Sequence, residues 1–297
     1  MLNLFQHLIT LIQLTHLDET LRRAQGDVHL YVQCKGFKHK LIYFKPFNTI
    51  KVPPLQKQTR TMADVFGKAL HDYQKGQYTE DIKTYSSLDE EDVIPVPYLF
   101  RTFAEMPKIE QKALQLAHGK VLDIGAGAGS HALYLQNKGL DITALDSSEG
   151  CIEVCRERGV KSTVCSPILD YSDEKYDTLL LLMNGIGLSG KLNNLSRFLQ
   201  HMASLLLPNG QILMDSSDII YMFEQDEDGG YWIPNDGNYY GEVTFELEYK
   251  GQKSNTFDWV YVDFNTLQNA CDSNGFDCEL LKSGEHYDYL AKLTLKA

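Results

Sequence analysis

The chain has 297 residues, 43% of them hydrophobic and 23% charged, which is enough apolar side chain for one large core plus an accessory element. No stretch is apolar enough to span a bilayer, so no membrane partner is expected. The net charge of −12, from 28 basic and 40 acidic residues, argues against a nucleic-acid partner, because neutralising phosphates takes a basic face.

Residues 1–61 depart from this balance, with nine basic residues against three acidic ones. Residues 2–20 have helix-like apolar spacing but neither the positive flank nor the small-residue cleavage site of a signal peptide. Residues 28–47 read as two short β segments about a Lys-Gly turn, and 51–61 as an extended linker. This basic extension is read as a small appendage or as a start called too early. Met62 as the true first residue is favoured, because nothing in 1–61 completes a fold.

Residues 62–106 read as a helical and extended lead-in, stiffened by Pro95 and Pro97 ahead of Tyr98, Phe100, Arg101 and Phe103. From residue 107 onward strands and helices alternate. A helix over 108–119 carries Ile109, Ala113, Leu114, Leu116 and Ala117 and stops at Gly119. Strand 120–125 follows, then a helix ended by Gly139 and a strand over 140–146. The next helix ends at Gly159, and a third strand occupies 160–166. Residues 176–183 read as the fourth strand, and its unbroken apolar run 179–183 is what a strand covered on both faces requires. A helix over 194–210 is closed by Pro208 and Gly210, and 211–217 is the fifth strand. Strands separated by helices of this length imply βαβ units and an α/β, doubly wound, mostly parallel sheet.

After the fifth strand the alternation stops. An insertion over about 218–264 contains a β-hairpin at 242–264, followed by a short helix at 265–275. Two closing strands, 278–285 and 287–296, lie too near each other for a parallel crossover, so the last of the seven strands is antiparallel.

The turn after the first of these strands, "VLDIGAGAG", is the candidate ligand site. In an open α/β sheet the crevice lies beyond the carboxyl ends of the strands, where strand order reverses. Glycine there permits positive φ and close approach of a ligand, while the next helix presents unpaired N–H groups. Asp146 closes the next strand about twenty residues on, where a carboxylate meets ribose hydroxyls. A nucleoside is therefore expected against the turn. The glycines read G-x-G-x-G, at Gly125, Gly127 and Gly129, with Ser130 where a dinucleotide fingerprint has its third glycine. Asp123, just upstream, repels a pyrophosphate and suits a cationic amine.

This stretch resembles the first motif of class I S-adenosylmethionine-dependent methyltransferases, an acid followed by G-x-G-x-G, and the resemblance extends over about residues 85–297 with its antiparallel last strand. It implies S-adenosylmethionine as cofactor. It also implies that Asp123 and the turn glycines Gly125, Gly127 and Gly129 hold the methionyl part and Asp146 the ribose, with Ala126, Ser130 and Ser147 among the cofactor-binding residues. After strand three the family usually places an acid against the adenine. Here Pro167 stands in that place, so Ile168 and Asp170 are assigned to the ring. Asn184, after strand four, is set against the methyl donor, or else is a turn residue beside two glycines.

Methyl transfer is an in-line displacement in which alignment does most of the work, and no motif names a base. His131 reads as a first-turn helix residue, and His201 and His286 as structural. Acceptor contacts are assigned to Tyr98 and Arg101 in the lead-in, which would cover the cofactor cleft, and to Tyr231 and Trp232 in the insertion. The bland reading of the latter pair is a solvated loop packed on the sheet edge. The six cysteines, at 34, 151, 155, 165, 271 and 278, form no C-x-x-C pair, so no metal is implied and a reducing cytoplasm is expected. The expected function is methyl transfer to a small-molecule acceptor. A nicotinamide-dependent oxidoreductase and a non-catalytic S-adenosylmethionine-binding module are the alternatives.

Overall fold

The computed structural model describes residues 64–88, 90–233, 237–284 and 286–296. The predicted extension 1–61 and the alternative start at Met62 lie outside the described residues.

In chain order, helix α1 (Val65–Gln74) precedes a hairpin of β1 (Ile82–Ser86) and β2 (Glu91–Ile94). Then come α2 (Lys108–Leu116), β3 (Lys120–Ile124), α3 (Ser130–Asn137), β4 (Asp141–Asp146), α4 (Glu149–Glu157) and β5 (Ser162–Cys165). After β6 (Tyr176–Leu181), α5 (Leu195–Ser204) and β7 (Leu206–Ser217), the insertion supplies β8 (Glu242–Tyr249), β9 (Gln252–Lys253) and β10 (Phe257–Val260). The chain closes with α6 (Phe264–Ser273), β11 (Phe276–Ser283) and β12 (Asp288–Leu295).

Seven strands form the larger sheet in the order β11-β12-β7-β6-β3-β4-β5. The pairs β3–β4, β3–β6, β4–β5 and β6–β7 are parallel, and β12 runs antiparallel to both β7 and β11, as expected. Alternation along each strand sends side chains to both faces. Val121, Leu180 and Leu213 pack on one side with Ala113 and Leu135. Leu122, Leu179 and Ile212 pack on the other with Phe198, Leu199 and Leu267. A fully buried side chain such as Phe198 stabilises the fold by about 1.5–3 kcal/mol. Strand order reverses on either side of β3, so the crevice opens at the turn beyond Ile124.

Helix ends follow local chemistry. The Ser148 hydroxyl accepts the Cys151 N–H at the start of α4, and Asp263 accepts the Thr266 N–H at the start of α6. Two predicted ends are corrected. Helix α2 ends at Leu116, and Gly119, at φ 63°, instead turns the chain into β3. The helix predicted over 194–210 ends at Ser204, because β7 starts at Leu206 and absorbs Pro208 and Gly210 in a bulge against β6.

The predicted hairpin is present as β8 and β10, but it does not stand alone. It joins the lead-in in a second, antiparallel sheet ordered β10-β8-β1-β2, with β9 paired to β8. Thr84 faces Leu247 and Ile82 faces Ile94 across its ladders. Fully buried Ile82 and Tyr249 belong to one apolar cluster with Val65, Ala69 and Leu70 of α1. The stretch expected to be extended, 94–107, is instead wound into single 3-10 turns at Val96–Phe100 and Phe103–Glu105. Lead-in and insertion are thus one structure made from two distant parts of the chain. Among the described residues no helix is long and apolar enough to cross a membrane.

Candidate functional site

Gly125, Gly127 and Gly129 have φ of 73°, 53° and 76°, a region that costs other residues backbone strain. The Gly125 and Ala126 N–H groups donate to the Leu145 carbonyl at 2.9 and 3.1 Å, fixing the turn to β4. A Cβ on Gly125 would sit 3.8 Å from Leu188 Cδ1 and one on Gly127 3.9 Å from Phe66 Cε1, ordinary contact distances, so either position takes a methyl group without a clash. A Cβ on Gly129 would lie 2.9 Å from the Cys155 Sγ, so this third glycine serves close packing against α4. Ala126 and Ser130 are buried, and the Ser130 hydroxyl donates to the Leu99 carbonyl at 2.8 Å, joining the start of α3 to the lead-in.

Asp146 reaches back to this turn. Its Oδ2 accepts the Gly127 N–H and its Oδ1 the Ser148 N–H, each at 2.9 Å. Burial raises its pKa, opposed by these N–H groups. Asp64, the N-cap of α1, accepts the Gly67 N–H, the Ser148 hydroxyl and the Gly150 N–H. Backbones meet here: a Cβ on Gly150 would fall 2.8 Å from the Gly67 carbonyl carbon. The same helix sets Phe66 Cε1 3.9 Å from where a Gly127 Cβ would sit.

Beside the turn lies a buried chain of charges. The Arg101 guanidinium donates to Glu110 Oε2 at 2.6 Å, and His131 Nε2 lies 2.9 Å from the same oxygen. His131 Nδ1 is 3.9 Å from Asp123 Oδ1. Burial works to raise the Glu110 pKa, but His131 and Arg101 outweigh it and hold the group below its ordinary value. Asp123, with less compensation, is raised by burial. The Tyr98 ring stacks on the Arg101 guanidinium at 4.2 Å.

After β6 the chain makes an unusual turn. Met183 and Asn184 both have positive φ, 62° and 57°, and their N–H groups donate to the two carboxylate oxygens of Asp215 at 3.1 and 2.7 Å. Asp215 is buried at the end of β7, and burial pushes its carboxyl up to about 7. Among the described residues three buried side-chain polar atoms lack a hydrogen-bond partner: Arg101 Nε, Asp123 Oδ2 and Asn184 Oδ1. Buried polar groups are rarely left so, and here they are one donor and two acceptors.

The remaining predicted residues are more dispersed. Ser147 is exposed, and its carbonyl accepts the Cys165 thiol. Ile168 is packed in the core near Leu145 and Tyr171, with its carbonyl 2.7 Å from His201 Nε2, while Asp170 is exposed. Tyr231 pairs with Gln225 in a small hairpin, and Trp232 is 69% exposed. Of the insertion's acids, Asp218 accepts the Tyr240 hydroxyl and Asp263 that of Tyr239.

Asp64, Phe66, Glu110 and Asp215 escaped the sequence reading, and His131 was read as structural only. An acid closing the fifth strand in "LMDSS" is a signal of the same kind as Asp146 and pointed to Asp215. Nothing local marks Phe66 or Glu110, whose places depend on how the lead-in packs.

Residues 122–214 match the family described as "Methyltransferase domain". A SAM-dependent methyltransferase from Bacteroides fragilis, crystallised with S-adenosyl-L-homocysteine, is 44% identical, with 79% of this chain and 95% of that one covered and a TM-score of 0.73. The CcbJ methyltransferase from Streptomyces caelestis shares the fold at 14% identity, covering 65% of this chain and 91% of its own, with a TM-score of 0.52. No match is found among the curated proteins.

Proposed function

The chain belongs to the S-adenosylmethionine-dependent methyltransferases, and from that premise we propose that it methylates a small-molecule acceptor in the cytoplasm. The observation that carries the residue assignment is the set of three unpartnered atoms. A donor at Arg101 and acceptors at Asp123 and Asn184 complement the carboxylate and ammonium of an amino-acid tail. With no side chain at Gly125 or Gly127, the rest of the molecule can lie close against the backbone of the turn.

When bound, S-adenosylmethionine supplies a methyl carbon activated by a sulfonium. The protein's part is to hold and align. Arg101, already fixed by Glu110, receives the tail carboxylate, which moves it from the acceptor contacts expected of it to the cofactor. Asp123 and Asn184 receive the ammonium. Asp146 spends one lone pair of each oxygen on backbone N–H groups and keeps the others for ribose hydroxyls. Ala126, Gly129 and Ser130 shape the turn. Ser147, the Ile168 N–H and Asp170 border the adenine end. Helix α1, through Asp64 and Phe66, acts as the lid over the turn.

The acceptor enters beside Tyr98, whose ring is partly exposed next to Arg101, and Tyr231 and the exposed Trp232 are the further acceptor contacts proposed. No side chain is assigned as base, since alignment supplies most of the rate for an acceptor that is already nucleophilic. The acidic balance supports a small acceptor over nucleic acid, and the free state of the five described cysteines suits a reducing compartment. A methyl-release screen over amines, phenols, carboxylates and thiols tests this reading. Turnover with one class supports it, and binding of S-adenosylhomocysteine without turnover of any class makes the protein a binding module instead.

A further inference from the structure

The geometry after β6 points to a residue that acts without touching the ligand. Left-handed backbone is unfavourable for a residue with a Cβ, and Met183 and Asn184 adopt it in succession. Such a pair aims two consecutive N–H groups into one concavity that binds an anion. Here the anion is built in, because Asp215 Oδ2 and Oδ1 accept one N–H each. The turn it holds leaves the Asn184 side-chain oxygen buried and unpartnered. It also starts the 3-10 turn Gly185–Ser189, whose Leu188 approaches Gly125.

We infer that Asp215 is a positioning residue of the donor site: its carboxylate holds Met183 and Asn184 in their strained turn and so aims Asn184 at the cofactor. The inference rests on the assignment of Asn184 to the donor site made above. The carboxylate form is required, because an amide offers one N–H a donor in place of an acceptor. Glu110 of α2, His131 of α3 and Tyr98 of the lead-in are the titratable groups that act on Asp215, so its ionisation is linked to the buried charges around the cofactor tail.

The test is calorimetric titration of the full chain with S-adenosylhomocysteine and S-adenosylmethionine. Asp215→Asn is expected to weaken both by about tenfold, the scale of a hydrogen bond to a charged group. Adding Met183→Gly, which accepts positive φ without strain, is expected to restore most of that loss. Met183→Val leaves Asp215 in place and disfavours the turn, so it is expected to weaken binding in the same direction, and it serves if Asp215→Asn does not fold. The affinity of the wild type is expected to fall as pH drops through the range where Asp215 takes up its proton, and the Asp215→Asn variant to lose that component. Wild-type affinity in Asp215→Asn, or in Met183→Val, overturns the inference, as does a folded Asp215→Asn that Met183→Gly fails to rescue. Asn184→Ala separates the two claims: wild-type affinity there overturns the placing of Asn184, whatever the Asp215 variants do.

Discussion

Asp64 Oδ2 accepts the Ser148 hydroxyl at 2.6 Å, which clamps the start of α1 to the loop that follows Asp146. The same carboxylate caps α1 through Gly67, so one side chain sets both the helix and its seat over the glycine turn. Asp64→Ala is expected to cost about 1–2 kcal/mol in denaturant unfolding, the scale of a lost N-cap. It is also expected to weaken S-adenosylhomocysteine binding by loosening Phe66 from the turn. A variant with the stability loss and unchanged affinity would show that the clamp has no part in binding.

The glycines of the turn divide by task. Gly127→Ala puts a methyl group where its nearest neighbour, Phe66 Cε1, is 3.9 Å away, so it is expected to cost only about 1 kcal/mol of stability from the left-handed backbone while abolishing cofactor binding. Gly129→Ala drives its methyl group into Cys155 and is expected to cost about 1–3 kcal/mol on top of that strain. Thermal unfolding and titration of the two variants, side by side, check the division.

Asp123 exposes stability and binding to opposite demands. Its buried Oδ2 has no hydrogen-bond partner among the described residues, and burial raises its pKa. Asp123→Asn removes a desolvated charge, so the ligand-free protein near neutral pH is expected to gain stability, or to lose less than about 1 kcal/mol. S-adenosylhomocysteine affinity is expected to fall by at least about tenfold, as a charge-assisted contact to the ammonium is lost. Unfolding in urea with and without ligand measures both.

Asp215 gives the pH dependence a sign. Its carboxyl ionises at about 7 in the folded protein, against 3.8 as the ordinary value. Between these limits the folded state holds the extra proton, so this group's contribution to stability is complete below the ordinary value and is lost as pH rises through about 7. The wild-type stability minus that of Asp215→Asn is therefore expected to shrink from about pH 4 to about pH 7. Denaturant midpoints across that range check it, and a difference that grows with pH would contradict the assignment.

The sheet and its central turn were legible because their signals are local. Apolar runs such as 179–183, glycines at helix ends, and an acid closing the strand after G-x-G-x-G each follow from chemistry within a few residues. Asp123, Arg101 and Asn184, picked out from the sequence for different roles, are the residues whose buried side chains, among the described residues, are left short of a partner. The second sheet was not legible, since β1 and β2 are short and β1 finds its partner β8 about 160 residues on, a pairing no local pattern encodes. The same holds for Phe66 and Glu110, placed by packing of the lead-in. Pro208 and Gly210 misled because in isolation they read as a helix stop, whereas a bulge in β7 accommodates them.

The central claim is that the turn at Gly125–Gly129, with Asp123, Asp146, Asn184 and Arg101 around it, holds a phosphate-free adenosyl amino acid. Titration calorimetry of the wild-type protein with S-adenosylhomocysteine, repeated with NADH, tests it most directly. The account expects one equivalent of S-adenosylhomocysteine to bind, with the Gly127→Ala variant silent, and no heat from NADH. Saturable NADH binding to a protein that ignores S-adenosylhomocysteine would contradict it.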